Sequence, residues 1–566
     1  MSLLDTASLI VTPNGYKEGK LYSVIPSDGS GDLSVTRATT ATRVNSAGLV
    51  ELVPYNLLSY SEDFSNAYWT KQNLTISANA ITAPNGTMTA DAFIASNGTA
   101  IYKGVYITEQ TAVSKTLSFY AKKGNKDWAM LLGYNGTNNV WFNVSNGTIG
   151  TIGSNFINAT IDSVGNGWYR CSATLNSSIT LEPNVGIYAS NADNSTSCTG
   201  DGTTASLYIW GAQLVEGSVA KDYQKTETRL NIPRLDYSNG TCPSILVEPQ
   251  RTNLLAYSSS FDNAYWLKQG GGSASAPVVT ANAEISPDGT MNADRIVFNL
   301  NGGTGSNDFS QISSPTITHS AASYIRSFYA RTTDGTTKEF NFVSPSDNFE
   351  IISITPEYQR FDALSTIAAN GGFRLRIRGN ETSTNSASIA LWGAQYEAGA
   401  YPTSYIPTTS ASVTRNADVI SKTGISSLIG QTEGTLFLDY TKTDAQQDID
   451  ILYSLGGANN DISIAYIFGG LRVLATTGGV TQFNNSYSGY NTSGRFKIAI
   501  AYQTNNVRIY INGVLIDTIN SATFNFTNEL NLGTANSNFL CQFYINASAL
   551  WKQPLTNTQL AQLTTL

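Results

Sequence analysis

The sequence predicts an all-β protein built from tandem jelly-roll or β-sandwich domains. Short runs of alternating apolar and polar residues recur about every ten residues between turns rich in Gly, Asn, Asp and Ser, as in sandwich folds. Charged residues make up only 13% of the 566 residues, a composition that favours strands over exposed helices. A long block of sequence also occurs twice, which indicates a tandem duplication.

The duplication defines two domains of similar length. The matched segments, first copy then second, are residues 56–69 and 253–266, 84–91 and 287–294, 118–122 and 327–331, and 205–213 and 387–395. The repeated unit is roughly 170 to 190 residues long, which suits one globular domain with its own core.

The remaining sequence forms the ends and the joints. We predict an N-terminal attachment segment and two jelly rolls separated by a linker, followed by a third sandwich; in order, these are residues 1–48, 49–228, 229–245, 246–413 and 414–566. Thr-Arg pairs mark the joints, and the second of the two jelly rolls ends in an extended, proline-containing segment at residues 401–407.

The last domain contains the clearest local signals. Residues 495–502, 507–511 and 514–518 are three apolar runs, and Asn512-Gly513 between the last two predicts a type I′ hairpin turn. Thr556 and Gln559 form a capping-box pattern, which predicts a single short helix that packs on this sandwich.

The charge pattern excludes several classes of partner. The net charge is −8 and no cluster of Lys and Arg occurs, so we expect no nucleic-acid binding. No apolar stretch is long enough for a membrane span or a signal peptide. We therefore expect no membrane partner and a chain that is made in a cytosol and stays soluble.

Cysteine spacing gives no sign of a disulfide framework or a zinc site among Cys171, Cys198, Cys242 and Cys541. Cys171 aligns with Phe361 of the second copy. We therefore predict that Cys171 is a buried apolar filler.

The duplication separates core aromatics from candidate surface aromatics. Aromatic pairs at matching positions in both copies are predicted to lie in the two cores; these are Trp69 and Trp266, Trp210 and Trp392, and Phe119 and Phe328. Trp128, Tyr134 and Trp141 occur in the first copy only. They are the candidate glycan-binding residues, since exposed rings stack on the CH groups of sugars, although a local apolar cluster explains them equally well.

No catalytic arrangement is visible. His319 is the single histidine and has no nucleophile motif nearby. Acidic residues that a glycosidase would need are present without any pairing signal; they include Glu350, Glu357, Asp439 and Asp461. We expect no enzymatic activity and no catalytic residues.

Asp91 and Asp294 recur after a Gly-Thr-Met turn in the two copies. The favoured interpretation is a carboxylate that stabilises a turn. A structural calcium ion is the alternative, and apart from it we expect no cofactor and no metal site.

Several segments resemble bacteriophage tail-fibre, head-fibre and other virion proteins. They are residues 233–238 (PRLDYS), residues 246–255 (LVEPQRTNLL), the two FxNAYW blocks and residues 392–407 (WGAQYEAGAYPTSYIP). In that family such segments frame jelly rolls similar to carbohydrate-binding modules. Residues 1–55 look like the N-terminal part of proteins from crAss-like phages, and the block from residue 434 onward is similar to concanavalin A-like lectins of the laminin-G type.

The resemblance implies a non-enzymatic structural protein on the virion surface, in a head or tail fibre, that adheres to host-surface or environmental glycans. Other virion proteins, in the capsid or tail, would bind through residues 1–55, and the fibre resemblance implies a homotrimer. A capsule-degrading tailspike enzyme and a purely architectural decoration or joint protein are the alternatives.

Overall fold

The computed structural model describes residues 3–108, 115–133, 138–175, 184–320, 322–343, 349–367, 370–443, 450–457, 459–467, 470–490, 493–526, 528–533 and 542–566. Nearly all regular structure in these residues is strand, in multiple sandwich sheets, which confirms the all-β prediction. The chain divides into two compact units, Met1–Val53 with Leu230–Leu566, and Pro54–Arg229. We describe each unit by itself.

The N-terminal part of the first unit begins with a 3₁₀ turn at Leu4–Thr6 and continues in five strands. These are β1 Leu9–Lys17, β2 Lys20–Ile25, β3 Leu33–Thr36, β4 Ala41–Val44 and β5 Val50–Val53. β4 and β5 pair only with each other in the described chain.

The second unit contains the first sequence copy and folds as two packed sheets. Its strands are β6 Thr70–Gln72, β7 Leu74–Ile81, β8 Ala90–Ala95, β9 Gly98–Ile101, β10 Lys103–Thr108, β11 Lys115–Lys123, β12 Trp128–Gly133, β13 Val140–Asn143, β14 Thr148–Ile152, β15 Phe156–Gly165, β16 Trp168–Leu175, β17 Asn184–Ser190, β18 Ser197–Gly200 and β19 Leu207–Glu216. The two packed sheets have the orders β14-β13-β12-β17-β10-β6 and β15-β16-β11-β19-β8-β7, and β9 and β18 form a separate two-stranded sheet. Both sheets contribute to one core, in which Phe119, Cys171 and Trp69 are buried.

The second copy, in the first unit, repeats this arrangement. The segment before it holds β20 Arg234–Asp236, β21 Ser244–Val247 and β22 Arg251–Asn253. The strands of the copy are β23 Leu267–Gly271, β24 Ser275–Glu284, β25 Ala293–Asn299, β26 Phe309–Ser313, β27 Ala322–Thr332, β28 Lys338–Val343, β29 Phe349–Ile354, β30 Gln359–Ile367, β31 Arg374–Arg378 and β32 Ser386–Ala398. Its sheets are β23-β26-β31-β28-β29 and β24-β25-β32-β27-β30, with Trp266 and Phe328 in the core between them.

The C-terminal part forms the longest sheet of the chain. The strands of this part are β33 Val413–Arg415, β34 Val419–Thr423, β35 Gly434–Lys442, β36 Asp450–Gly457, β37 Asn460–Ile467, β38 Gly470–Thr477, β39 Val480–Tyr487, β40 Gly494–Tyr502, β41 Val507–Ile511, β42 Val514–Ile519, β43 Glu529–Leu532 and β44 Phe543–Trp551, with a 3₁₀ turn at Ser488–Tyr490. β33 pairs with β22 in a separate two-stranded sheet, and the others belong to the long sheet. Val473 near one end of the sheet and Ile509 near the other lie in the same core, so the sheet encloses that core.

The helix α1, Asn557–Thr564, begins as predicted. The Thr556 side chain accepts a hydrogen bond from the Gln559 N–H, and the Gln559 side chain accepts one from the Thr556 N–H. Leu560 is buried with Phe437 and Trp551 against the sheet. Within the described residues, no helix has the length and apolar character needed to cross a bilayer.

The predicted attachment segment forms part of the long sheet. The strand order there is β34-β3-β2-β1-β44, and Leu9, Leu21 and Leu33 are fully buried in the C-terminal core. Any partner of residues 1–55 would therefore contact side chains other than these leucines, and the exposed ones include the apolar Leu4, Tyr22 and Val24. Binding by this segment and the predicted domain boundaries both stay predictions.

A buried cluster of charges links distant segments of the first unit. Arg37 Nη1 lies 2.6 Å from Asp418 Oδ1, and Arg234 Nη1 lies 2.6 Å from Glu248 Oε2. Arg234 also pairs with Asp418, and Arg415 pairs with Glu248. All five side chains are at most 2% exposed, so we call them the buried ion cluster.

Candidate functional site

The strongest candidate site lies on the outer face of a sheet in the first jelly roll. In β12, Ala129 and Leu131 point into the core, so Met130 and Leu132 point to the opposite face because side chains alternate along a strand. These residues pack with aromatic side chains from β12, β13, β17 and β10. We define the outer-face cluster as Tyr102, Tyr106, Trp128, Met130, Leu132, Trp141 and Tyr188.

Tyr188 and Trp141 are the fixed centre of this cluster. The Tyr188 side chain is fully buried, its hydroxyl donates to Gln72 Oε1 at 3.3 Å, and its ring meets Tyr102 edge-on at 5.8 Å. A side chain at Gly104 would collide with the Tyr188 ring, so glycine allows the ring to lie close to the sheet. Trp141 is 4% exposed and its indole N–H donates to the Ser195 carbonyl oxygen at 2.8 Å.

Trp128 and Asp193 lie together at the rim of the cluster. Trp128 is partly exposed, and a side chain at Gly150 would meet both the Trp128 ring and the Asp193 carboxylate. Asp193 is exposed and accepts the Thr151 N–H at 2.7 Å. An accessible indole face beside an accessible carboxylate can stack on a sugar ring and accept its hydroxyl hydrogens.

The amide of Asn139 is a second polar group near this face. Asn139 precedes β13, is 1% exposed, and neither its side-chain nitrogen nor its side-chain oxygen has a hydrogen-bond partner among the described residues. Buried polar groups without partners are rare and costly in native proteins. At 1% exposure this amide is closed to a sugar, so it does not belong to the candidate glycan site.

The structure brings two of the three predicted glycan-binding residues together. Trp128 and Trp141 both belong to the outer-face cluster, whereas Tyr134 lies outside the described residues. Sequence reasoning did not single out Tyr102, Tyr106 and Tyr188. Only the strand register, which pairs Tyr188 with both Met130 and Gly104, places them on this face.

The same face of the second jelly roll has a different chemistry. Strand pairing aligns a row of five residues across each sheet: Gln72, Gly104, Tyr188, Met130 and Trp141 in the first copy, and Gln269, Gln311, Arg376, Asn341 and Ile351 in the second. Arg376 binds Glu381 at 2.9 Å, and Gln311 donates to Gln269 at 2.9 Å. The aromatic face is therefore specific to the first copy.

Asp91 and Asp294 hold main-chain groups in the two copies. Asp91 accepts the N–H groups of Phe64 and Asn79, each at 2.9 Å. Asp294 accepts those of Phe261 at 2.6 Å and Asn282 at 2.9 Å. Burial raises the pKa of each carboxyl to about 6, and the main-chain N–H groups oppose that rise.

These contacts agree with the turn-stabilising interpretation. In the described part of the chain, no group of three or more His, Cys, Asp or Glu side chains is arranged to hold a metal ion. Calcium binding stays a prediction that the structure does not test.

The candidate catalytic side chains have separate surroundings. His319 Nε2 lies 2.7 Å from the Tyr396 hydroxyl, and its ring stacks on Tyr324 at 3.9 Å. Asp439 is held by Arg495 through two contacts of 2.8 and 2.6 Å. Asp461 accepts the hydroxyls of Ser463 and Thr476, while Glu350 and Glu357 are exposed.

Comparisons with known proteins give only partial structural similarity. No protein-family model matches the sequence, and no curated protein matches it. Solved structures with local similarity include the receptor-binding domain of botulinum neurotoxin mosaic serotype C/D, with 10% identity, 26% of this chain and 39% of that chain covered, and a TM-score of 0.23. The binding domain of botulinum neurotoxin DC in complex with rat synaptotagmin II gives 18% identity, 26% and 40% coverage and a TM-score of 0.23.

A structure of botulinum neurotoxin type C, whose description reports interaction with two ganglioside molecules, gives 19% identity, 26% and 39% coverage and a TM-score of 0.23. The matched region spans about two fifths of each of these chains. At this coverage and TM-score, the similarity assigns neither a fold nor a ligand to this chain.

Proposed function

We propose that this chain is a non-enzymatic adhesive protein that binds glycans through the outer-face cluster of the first jelly roll. The single observation that supports the proposal most is the contrast between the two copies. Both copies keep their core aromatics, but the first has Tyr188, Met130 and Trp141 in the outer row where the second has Arg376, Asn341 and Ile351.

The ligand class follows from the chemistry of the rim. Trp128 offers a partly exposed ring and Asp193 an exposed carboxylate. Sugars present both apolar CH faces and hydroxyl groups, so they can use both groups. The buried rings of Tyr188 and Trp141 would keep the rim rigid, which lowers the entropy lost on binding.

The role on a virion surface is the second part of the proposal, and the sequence resemblance to phage fibre proteins supports it. Residues 1–55 would contact a capsid or tail protein through their exposed side chains. A homotrimer would present several weak glycan sites together, and linked sites gain avidity through effective concentration.

The test uses Trp128→Ala, with Glu339→Ala at the equivalent strand position of the second copy as the matched control. We expect the wild-type protein to retain sugars on a glycan array. Titration with a retained sugar should show at least a tenfold weaker dissociation constant for W128A, because the stacking contact is lost, and no change for E339A. Equal melting temperatures of the variants would establish that both are folded.

The proposal fails if W128A binds the sugar as tightly as the wild type does, or if the wild type binds no sugar on the array. Shortening of host capsular polysaccharide by the protein would instead favour an enzyme. If the protein binds no sugar on the array but binds a capsid or tail component tightly, an architectural role would be favoured.

A further inference from the structure

The two jelly rolls differ at one side of the sandwich. In the first, the chain passes from β13 to β16 through β14 and β15, which add one strand to the end of each sheet. In the second, it passes directly from β29 to β30. β16 and β30 are equivalent because Cys171 pairs with Phe119 as Phe361 pairs with Phe328.

This difference leaves both sheets of the second jelly roll with uncovered edges on the same side. β29 ends one sheet and β30 ends the other, and no further strand pairs with either edge in the described residues. The side chains there are apolar and exposed: Phe349 is 41% exposed, Ile351 52% and Leu364 52%. We call residues 349–354 the β29 edge.

The β29 edge lacks the usual protection against strand pairing. Its register with β28 is continuous from Phe349 to Ile354, and it contains no Lys or Pro and a single charge, Glu350. By contrast, the pairing of β13 with the edge strand β14 has a register shift, and the pairing of β15 with β16 has two. Bulges, Lys and Pro are the devices by which native edges avoid unwanted pairing.

We propose that the β29 edge is an interface at which two copies of this chain pair antiparallel to each other. The first jelly roll shows that an antiparallel strand fits at the equivalent edge, because β14 pairs there with β13. In the second jelly roll the added strand comes from β29 of a second copy.

The sequence of the β29 edge is compatible with itself in such a pair. Residues opposite each other in antiparallel strands point to the same face of the sheet. With Ile351 opposite its own copy, Phe349 lies opposite Ser353 and Glu350 opposite Ile352. Neither carboxylate then faces the other, and the two Ile351 side chains cover each other.

The pairing is isologous and therefore closes as a dimer. It is independent of glycan binding, so failure of either of these two proposals leaves the other standing. It differs from the homotrimer that the fibre resemblance implies, and a wild-type chain that sediments as a dimer would exclude that homotrimer.

The test is sedimentation velocity over a dilution series of the whole chain. Ile351→Lys is the test variant, and Ile157→Lys, at an exposed position of the edge strand β15 in the first jelly roll, is the matched control. We expect a dimer for the wild type and I157K, and at least a tenfold higher dissociation constant for I351K, with all three melting alike.

A cysteine variant tests the register. In a Cys242→Ser, Cys541→Ser background, which removes the exposed thiol among the described cysteines and the cysteine that lies outside the described residues, Ile351→Cys should form an interchain disulfide on mild oxidation and Leu364→Cys should form much less. A wild-type chain that stays monomeric throughout the series, or a dimer that I351K does not weaken, overturns the proposal.

Discussion

At the scale of single residues, Asp91 and Asp294 perform the same task in the two copies. Each carboxylate joins the loop that carries the Phe-x-Asn-Ala-Tyr-Trp block to a left-handed asparagine of the neighbouring strand, Asn79 with φ 53° or Asn282 with φ 49°. Both asparagines lie where the strand pairing shifts register. The carboxylates therefore fasten an irregular strand to the loop beside it.

Asp294→Asn should lower the free energy of unfolding by about 1–3 kcal/mol, because the amide nitrogen cannot accept one of the main-chain N–H groups and leaves it without a partner. The measurement is urea unfolding. Asp262→Asn, at an exposed neighbouring position, is the control and should change stability by less than about 0.5 kcal/mol. Equal effects of the two substitutions would contradict the assigned role.

Comparison of the two copies predicted the burial of some residues but not the positions of others. Trp69, Trp266, Phe119 and Phe328 lie in the two cores as predicted, because a residue kept in both copies most simply serves the shared core. Trp210 and Trp392 are buried too, but in small clusters outside those cores. Cys171 is fully buried, as its alignment with a phenylalanine predicted. In the sheet that carries the outer-face cluster, the strand sequences differ between the copies. Aligning the copies therefore could not place Tyr188 opposite Met130.

At the scale of secondary-structure elements, short sequence patterns correctly predicted a hairpin turn and the start of a helix. β41 and β42 flank Asn512 and Gly513, which have φ values of 48° and 84° as a type I′ turn requires. The predicted capping box is present at α1. These features depend on residues a few positions apart, so the sequence alone determines them.

The order of strands is not local, and alternation cannot reveal it. β3 pairs with β34, where Ser34 lies opposite Ser421, and β1 pairs with β44, where Leu9 lies opposite Leu550. Any of the short apolar strands could satisfy the same alternation. The position of β1–β3 inside the long sheet was therefore not predictable from pattern.

Thr556→Ala should destabilise α1 by about 1 kcal/mol, because the Thr556 hydroxyl accepts the Gln559 N–H and alanine leaves that group without a partner. Hydrogen exchange of the amides of residues 559–562 reports this local change. We expect faster exchange there and unchanged exchange in β41. Thr565→Ala, just beyond the helix, is the control and should leave the first turn protected.

At the scale of the whole molecule, the buried ion cluster joins segments far apart in sequence. Arg37 follows β3, Arg234 lies in β20, and Arg415 belongs to one of the Thr-Arg pairs that mark the predicted joints. The sequence analysis placed only Arg415 at a predicted joint. The other two arginines and the acidic partners Glu248 and Asp418 could not be predicted, since they meet only through the fold. The cluster ties the N-terminal strands to the segments before and after the second jelly roll.

The cluster should make stability fall in acid. Burial raises the pKa of the Glu248 carboxyl, but the guanidinium groups of Arg415 and Arg234 lower it by more than burial raises it. The resulting pKa is about 2. A carboxyl whose pKa is lower in the folded than in the unfolded state stabilises the fold above the unfolded value of 4.5. This contribution is lost as the pH falls from there towards 2.

Glu248→Gln should therefore cost about 3–5 kcal/mol near neutral pH, because it leaves two buried guanidinium groups without their shared counter-charge. Urea unfolding at several pH values measures both the loss and its pH dependence. The difference between wild type and E248Q should shrink as the pH falls below 4.5. Glu357→Gln, at an exposed carboxylate, should show neither effect, and a pH-independent difference for E248Q would show that packing rather than charge pairing holds the segments together.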